Sequence, residues 1–136
     1  MNAGYSGTPL IKKLGIKEGY KICVINGPDN YWELLGSLPS GVEKVNPNTE
    51  NIDFLHVFLT TLEEYEWHIQ ILKTRIDQKG MIWISWPKKS SELKTDLNEN
   101  LIRSIAIKNQ LVDVKVSAMD EIWSAIKLVI PVKFRD

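Results

Sequence analysis

The sequence predicts an α/β fold: three layers, a mostly parallel sheet with helices on both faces, and a C-terminal antiparallel hairpin. Three observations predict it. The runs "YKICVIN" (20–26), "IDFLHVFL" (52–59) and "MIWISW" (81–86) are β-branched or aromatic with almost no polar alternation, the pattern of strands covered on both faces. Between and after them lie segments with apolar residues at helical spacing. The last quarter then switches to period two.

The elements follow in order. Thr8 is placed to cap a first helix, with Pro9 at its first position, Leu10, Ile11 and Leu14 as its apolar face and Gly15 as a left-handed stop. Lys12 and Lys13 fall at its C-terminal end, where the helix dipole favours cations; a ligand role is the alternative. Strand 20–26 is broken by "GPDN", and "YWELLG" reads as a short helix capped by Asp29 or Asn30 and stopped by Gly36. "GVEKV" (41–45) reads as a short strand. After strand 52–59, Thr61 and Glu64 match a capping box. Leu62, Tyr65, Ile69, Leu72 and Ile76 then predict a helix to about residue 78, with Gly80 as its terminator. After strand 81–86, Asp96 and Glu99 open another helix with Leu97, Leu101, Ile102 and Ile105 inward and Asn109 as a left-handed cap. "VDVKVSA" (112–118) and residues 122–132 alternate around "MDE" and predict the hairpin at a sheet edge, with Pro131 at a strand end. The order β-α-β-β-α-β-α-β-β is Rossmann-like. One connection is awkward: about six residues separate strand 41–45 from strand 52–59, where a parallel crossover takes a dozen or more. Either the short strand is an edge stub, or the chain crosses extended beneath the first strand.

Composition narrows the function classes. The 136 residues fit one domain, with 43% hydrophobic and 25% charged residues. The 17 basic residues cancel the 17 acidic ones, so no global field favours nucleic acid or an anionic membrane, and neither is expected as a partner. The single Cys23 cannot form an internal disulfide and reads as a small buried hydrophobe. The start "MNAGYSGTPL" lacks the basic and apolar stretches of a signal peptide, and no apolar run reaches membrane-spanning length, so a cytoplasmic protein is expected. His56, mid-strand, reads as a hydrogen-bonded core histidine, and His68 as a surface residue; together they make a poor metal case. Ser85 and Ser117 have no candidate base nearby in sequence, and Trp123 reads as sheet-face packing.

The buried strands, intervening helices and final hairpin resemble the class I methyltransferase fold, whose last strand runs antiparallel. More specifically, "AGYSGTPLIKKLGIK" (3–17), "WPKK" (86–89), "TDL" (95–97) and "LVDVKVSAMDEIWSAIKLVI" (111–130) resemble an uncharacterised bacterial family, a domain of unknown function, over nearly the full length. The resemblance implies a Rossmann-like fold and carries over no catalytic residue. Class I methyltransferases usually place a glycine-rich turn after the first strand and an acidic residue at the end of the second. Here those places hold "NGPDN", with one glycine and a proline, and "KVNPN", with no carboxylate. The cofactor is therefore unassigned: S-adenosylmethionine belongs to the fold comparison, but no glycine-rich motif supports it.

In open α/β sheets, ligands bind outside the carboxyl ends of the strands. The turns after strands 20–26, 52–59 and 81–86 should gather there. Gly27, Pro28, Asp29, Thr60, Thr61, Trp86, Lys88 and Lys89 are thus the expected crevice lining. Two lysines and helix N-termini near residues 30 and 61 suit a small anionic or nucleotide-like ligand. The plain alternative is that Lys88 and Lys89 keep a strand end soluble. The leading expectation is a non-catalytic or small-ligand-binding Rossmann-like domain. The rivals are a divergent S-adenosylmethionine-dependent methyltransferase or nucleotide-binding enzyme, and a protein-interaction module using the hairpin edge or the Trp67 face.

Overall fold

The computed structural model describes residues 9–136; Thr8, the expected first cap, lies outside them. Helices α1 (Leu10–Leu14), α2 (Tyr31–Leu35), α3 (Leu62–Leu72) and α4 (Glu99–Lys108) alternate with strands β1 (Lys21–Ile25), β2 (Glu43–Lys44), β3 (Ile52–Phe58), β4 (Ile76–Pro87), β5 (Val112–Ala118) and β6 (Trp123–Val129). The six strands form one sheet in the order β2-β1-β3-β4-β6-β5. Strands β2, β1, β3 and β4 run parallel, whereas β6 is antiparallel to both β4 and β5. The chain leaves β4 through α4, lays β5 at the far edge and returns as β6 against β4. This is the expected Rossmann-like α/β architecture with a C-terminal antiparallel pair.

Both faces of the sheet are covered. Tyr65, Ile69, Leu72, Ile102 and Ala106 of α3 and α4 pack on Leu55, Val57, Ile82, Ile84, Ile126 and Leu128. Leu14, Tyr31 and Leu35 of α1 and α2 pack on Ile22, Phe54, Phe58, Trp83 and Ala125 on the other side. The Trp83 indole N–H donates to the Leu14 carbonyl at 2.9 Å and so fastens the end of α1 to β4. Gly15 ends that helix in the left-handed region at φ 86°, as expected. Cys23 is buried in the α3/α4 core, and burial pushes its thiol up to about 11.

The awkward connection is resolved by the shortness of β2. It pairs only with Lys21 and Ile22, at the amino end of β1. Residues 45–51 then pass beneath that end, where the Lys21 amide donates to the Asp53 carboxylate at 2.8 Å and the Lys21 ammonium to the Glu50 carbonyl at 3.3 Å. Both expected alternatives hold: β2 is an edge stub, and the chain crosses under β1.

Four boundaries differ from expectation, each for a local reason. Helix α3 stops at Leu72, because Ile76 pairs with Ile52 and so opens β4 instead of extending the helix face. From Ile76 to Met81 the strand uses five residues against the two from Ile52 to Phe54, a bulge. Gly80 closes that bulge rather than ending a helix; a Cβ there would meet the Ile52 carbonyl at 2.7 Å. Helix α4 is capped by Asn98, whose side chain accepts from the Leu101 amide at 2.9 Å, leaving Asp96 for another partner. Asn109 has φ −100°, and the left-handed residue is Gln110 at φ 62°. At the edge, β5 has its own bulge between Asp113 and Lys115, which blunts the strand as a template for pairing.

One polar chain crosses the α1/α2 face of the core. The Ser85 hydroxyl lies 2.7 Å from His56 Nε2, and the Tyr31 hydroxyl 2.9 Å from His56 Nδ1. His56 stacks on Phe58 at a ring separation of 4.4 Å and is fully enclosed. Burial lowers its pKa to about 3, so the ring is neutral, with one nitrogen donating and the other accepting. His56 is thus the expected core histidine, whereas His68, expected at the surface, is half-buried.

The linkage has a definite sign. In the unfolded chain His56 titrates near 6.5, and in the fold near 3. Its contribution to stability is complete above pH 6.5 and is lost as pH falls from there toward 3, by about 1.4 kcal/mol per pH unit. Urea midpoints from pH 7 to 4 should therefore fall more steeply for the wild type than for His56→Gln, which keeps a donor and an acceptor but cannot titrate. Parallel profiles would refute this assignment.

Candidate functional site

A cleft of about 790 Å³ opens at the carboxyl end of β4. Its floor is Trp86, Pro87 and Leu97, all largely buried. The walls come from Ser124 of β6 and from loop 88–98, through Lys88, Lys89, Leu93, Lys94, Thr95 and Asp96. The amino end of α4 closes one side with Asn98 and Glu99.

The charges around this cleft are unequally engaged. Asp96 accepts a hydrogen bond from the Leu62 amide, the first of α3, at 2.7 Å. Glu99 pairs with Arg103, which also holds Asp113 at 2.9 Å. The two carboxylates are thus committed to a helix N-terminus and to a guanidinium. Among the described residues, no side-chain hydrogen bond or ion pair involves Lys88, Lys89 or Lys94. Three ammonium groups without a side-chain partner line the cleft, against one carboxylate held by a neutral amide and one paired with Arg103, so positive charge is in small excess there in a chain of zero net charge.

The expected lining residues divide into two groups. Trp86, Lys88 and Lys89 line the cleft. Thr60 and Thr61 stand beside it: the Thr60 carbonyl accepts from the Thr95 hydroxyl at 2.6 Å, and Thr61 caps α3 through the expected capping box. Among the first-turn donors of α3, the Leu62 and Glu64 amides already have acceptors in Asp96 and Thr61. Gly27, Pro28 and Asp29 do not line the cleft. Their turn is closed onto the sheet instead. Asn26, at φ 57°, donates from its amide side chain to the Phe58 carbonyl at 3.4 Å, and the Tyr31 amide donates to the Pro28 carbonyl at 3.0 Å. Below the turn lie Tyr31 and Phe58, with rings 5.7 Å apart edge to face, and Trp123 meets Phe58 at 5.0 Å. Neither Asp29 nor Asn30 caps α2 with its side chain. On the far side of β1, Lys44 of β2 stands over the Trp32 ring at 4.0 Å.

Leu93, Lys94, Thr95, Asp96 and Ser124 were not expected at the site. A signal existed in "KKSSELK", a third lysine in the same loop, but only the fold shows that this loop turns back beside the strand end. The Ser85–His56 pair was also invisible, since 29 residues separate the partners. It has the order of a nucleophile, a base and an orienting hydroxyl. Both Ser85 and His56 have no exposed surface, so the chain fastens the core and no substrate reaches it.

No protein-family model matches this chain, and no curated protein matches it in sequence. Solved structures do match it in fold. A SAM-dependent methyltransferase from Aquifex aeolicus superposes with a TM-score of 0.60 at 13% identity, covering 89% of this chain and 87% of the other. Fibrillarin from Aeropyrum pernix, solved with S-adenosyl-L-methionine bound, gives 0.58 at 12% identity over 93% of this chain and 70% of the other. A TehB-like SAM-dependent methyltransferase from Corynebacterium glutamicum gives 0.57 at 9% identity over 94% and 90%. At such identities the likeness is one of fold: the sheet is methyltransferase-like.

Two mutational outcomes follow from this geometry. Lys88→Ala with Lys89→Ala removes solvent-facing ammonium groups and should shift the thermal midpoint by no more than about 2 °C; loss of folding would refute their solvent-facing role. Gly27→Ala should instead destabilise by about 1–3 kcal/mol in denaturant melts, since its Cβ would lie 2.7 Å from Val24 Cγ1. A neutral Gly27→Ala would show that the turn is not packed tightly on β1.

Proposed function

We propose that this chain is a small-ligand-binding domain on a methyltransferase-type fold, and that it takes an anionic, nucleotide-like ligand in the cleft after β4. The observation that carries this reading is the set Lys88, Lys89 and Lys94, unpaired around an apolar floor while Asp96 and Glu99 are engaged elsewhere. Ammonium groups of this kind hold phosphate or carboxylate oxygens as point charges. The floor of Trp86, Pro87 and Leu97 supplies apolar contact for the rest of such a molecule. We further propose, from the sequence alone, a cytoplasmic protein of the uncharacterised bacterial family that it resembles. No helix among the described residues is long and apolar enough to cross a membrane.

A second reading, a divergent S-adenosylmethionine-dependent methyltransferase, is favoured by the fold match to two SAM-dependent methyltransferases and to fibrillarin, the last solved with that cofactor bound. It has to accommodate a β1 turn tied to Phe58 and a β2 end without a carboxylate.

Thermal shift with pyrophosphate, AMP, ATP, S-adenosylmethionine and S-adenosylhomocysteine separates the readings. A ligand at 100 times its Kd adds about 2.7 kcal/mol, several degrees for a domain of this size. The ligand-binding reading expects stabilisation by the phosphate-bearing compounds and its loss in Lys88→Ala/Lys89→Ala. Stabilisation by S-adenosylmethionine and S-adenosylhomocysteine alone, unaffected by that variant, would favour the methyltransferase reading. A panel without any shift at millimolar concentration would sink the anion site.

A further inference from the structure

We propose that Thr95 and Asp96 are positioning residues that latch the lysine-bearing loop 88–98 onto the β3–α3 turn, so that the loop opens and closes over the cleft as one unit. The inference rests on the anion-site reading only for what the loop closes upon.

The loop is fastened at its two ends and free between them. At the first end the Lys88 amide donates to the Ile122 carbonyl at 2.8 Å, and the Ser91 amide to the Lys88 carbonyl at 3.0 Å. At the other end two hooks reach the same turn. The Thr95 hydroxyl donates to the Thr60 carbonyl at 2.6 Å while accepting from the Leu97 amide at 3.0 Å. The neighbouring Asp96 carboxylate accepts from the Leu62 amide. Residues 92–94 make no hydrogen bond to the described residues. Leu93 is 46% exposed despite being apolar, and the Ser91 hydroxyl is buried without a partner. Lys94 therefore rides on the span between the fastened ends, while Lys88 and Lys89 sit at its first, anchored turn.

The hooks do not belong to the core. Leu97 is the one apolar side chain of the loop that is buried, so releasing the loop exposes little apolar surface and leaves the sheet intact. Asp96 is nevertheless well held. Leu62 is the first residue of an eleven-residue helix, its N–H has no acceptor within that helix, and a carboxylate there is favoured by the helix dipole. The Leu62 amide thus reports directly on the latch, and the Leu97 amide reports on Thr95.

Native-state amide exchange by NMR on the full chain tests the latch without any ligand. Thr95→Val leaves the Asp96–Leu62 contact untouched. If the loop moves as one unit, exchange at Leu62 should nevertheless accelerate by about tenfold or more, with Leu55 and Val57 of β3 unchanged. Asp96→Asn, which keeps an acceptor, should retain more protection at Leu62 than Asp96→Ala. An effect of Thr95→Val confined to Leu97 would overturn the proposal, as would equal acceleration throughout β3. In a second arm, millimolar pyrophosphate should slow Leu62 exchange in the wild type but not in Lys88→Ala/Lys89→Ala/Lys94→Ala. Intact coupling between Thr95 and Leu62 with no response to pyrophosphate would support the latch and count against the anion site.

Discussion

Strands β3 and β4 exchange backbone hydrogen bonds from Phe54 to Phe58 and from Met81 to Ser85, with helices packed over both faces. Double coverage leaves Phe54–Phe58 and Met81–Ser85 no solvent-facing side chain, which is why these stretches run apolar without alternation. It also restricts polar groups inside. Those present, His56 and Ser85, must satisfy one another and Tyr31, because an unpaired buried polar group costs about 1–3 kcal/mol. The chain of three side chains joins α2, β3 and β4 and so fixes the position of the helix that follows the β1 turn.

Covering both faces moves any opening to the strand ends. At the carboxyl ends three turns arrive side by side, and they are not equivalent. The β1 turn is drawn onto the sheet by Asn26 and stands over Tyr31 and Phe58, whose positions are set by the polar chain below. The β3 turn spends its leading helix donors on Thr61 and Asp96. Only the β4 turn lengthens into a loop that stands away from the sheet, and the cleft lies beneath it. The shift of the opening from β1 to β4 thus follows from how each turn satisfies its own backbone.

The sequence was legible where one physical signal dominated. The long apolar runs marked the three central strands, the Thr61–Glu64 capping box marked the start of α3, and the period-two residues marked β5 and β6. It misled where two signals competed. Ile76 continues the apolar spacing of α3, yet its pairing with Ile52 wins, because a strand there extends the central ladder. Asp96 has the spacing of a capping box with Glu99, yet Asn98 takes that role and Asp96 reaches 34 residues back in sequence to Leu62. Three of the eight expected site residues, Trp86, Lys88 and Lys89, line the cleft, because strand-end position can be read locally. The contributions of Thr95, Asp96 and Ser124 depend on contacts between distant segments, which no local pattern encodes.

A chain with equal numbers of acidic and basic residues can still hold a cationic pocket if its carboxylates are committed elsewhere. Here the commitments are structural. Asp96 completes the first turn of α3, and Glu99 is pulled along α4 to Arg103, itself anchored to β5 through Asp113. Asp96 ties the loop to α3 and Asp113 ties β5 to α4, while the Glu99–Arg103 pair lies within α4; none of these carboxylates pairs with Lys88, Lys89 or Lys94. Glu92, the one carboxylate within the loop besides Asp96, makes no ion pair with them among the described residues. The positive character of the cleft therefore arises from the arrangement of partners rather than from composition.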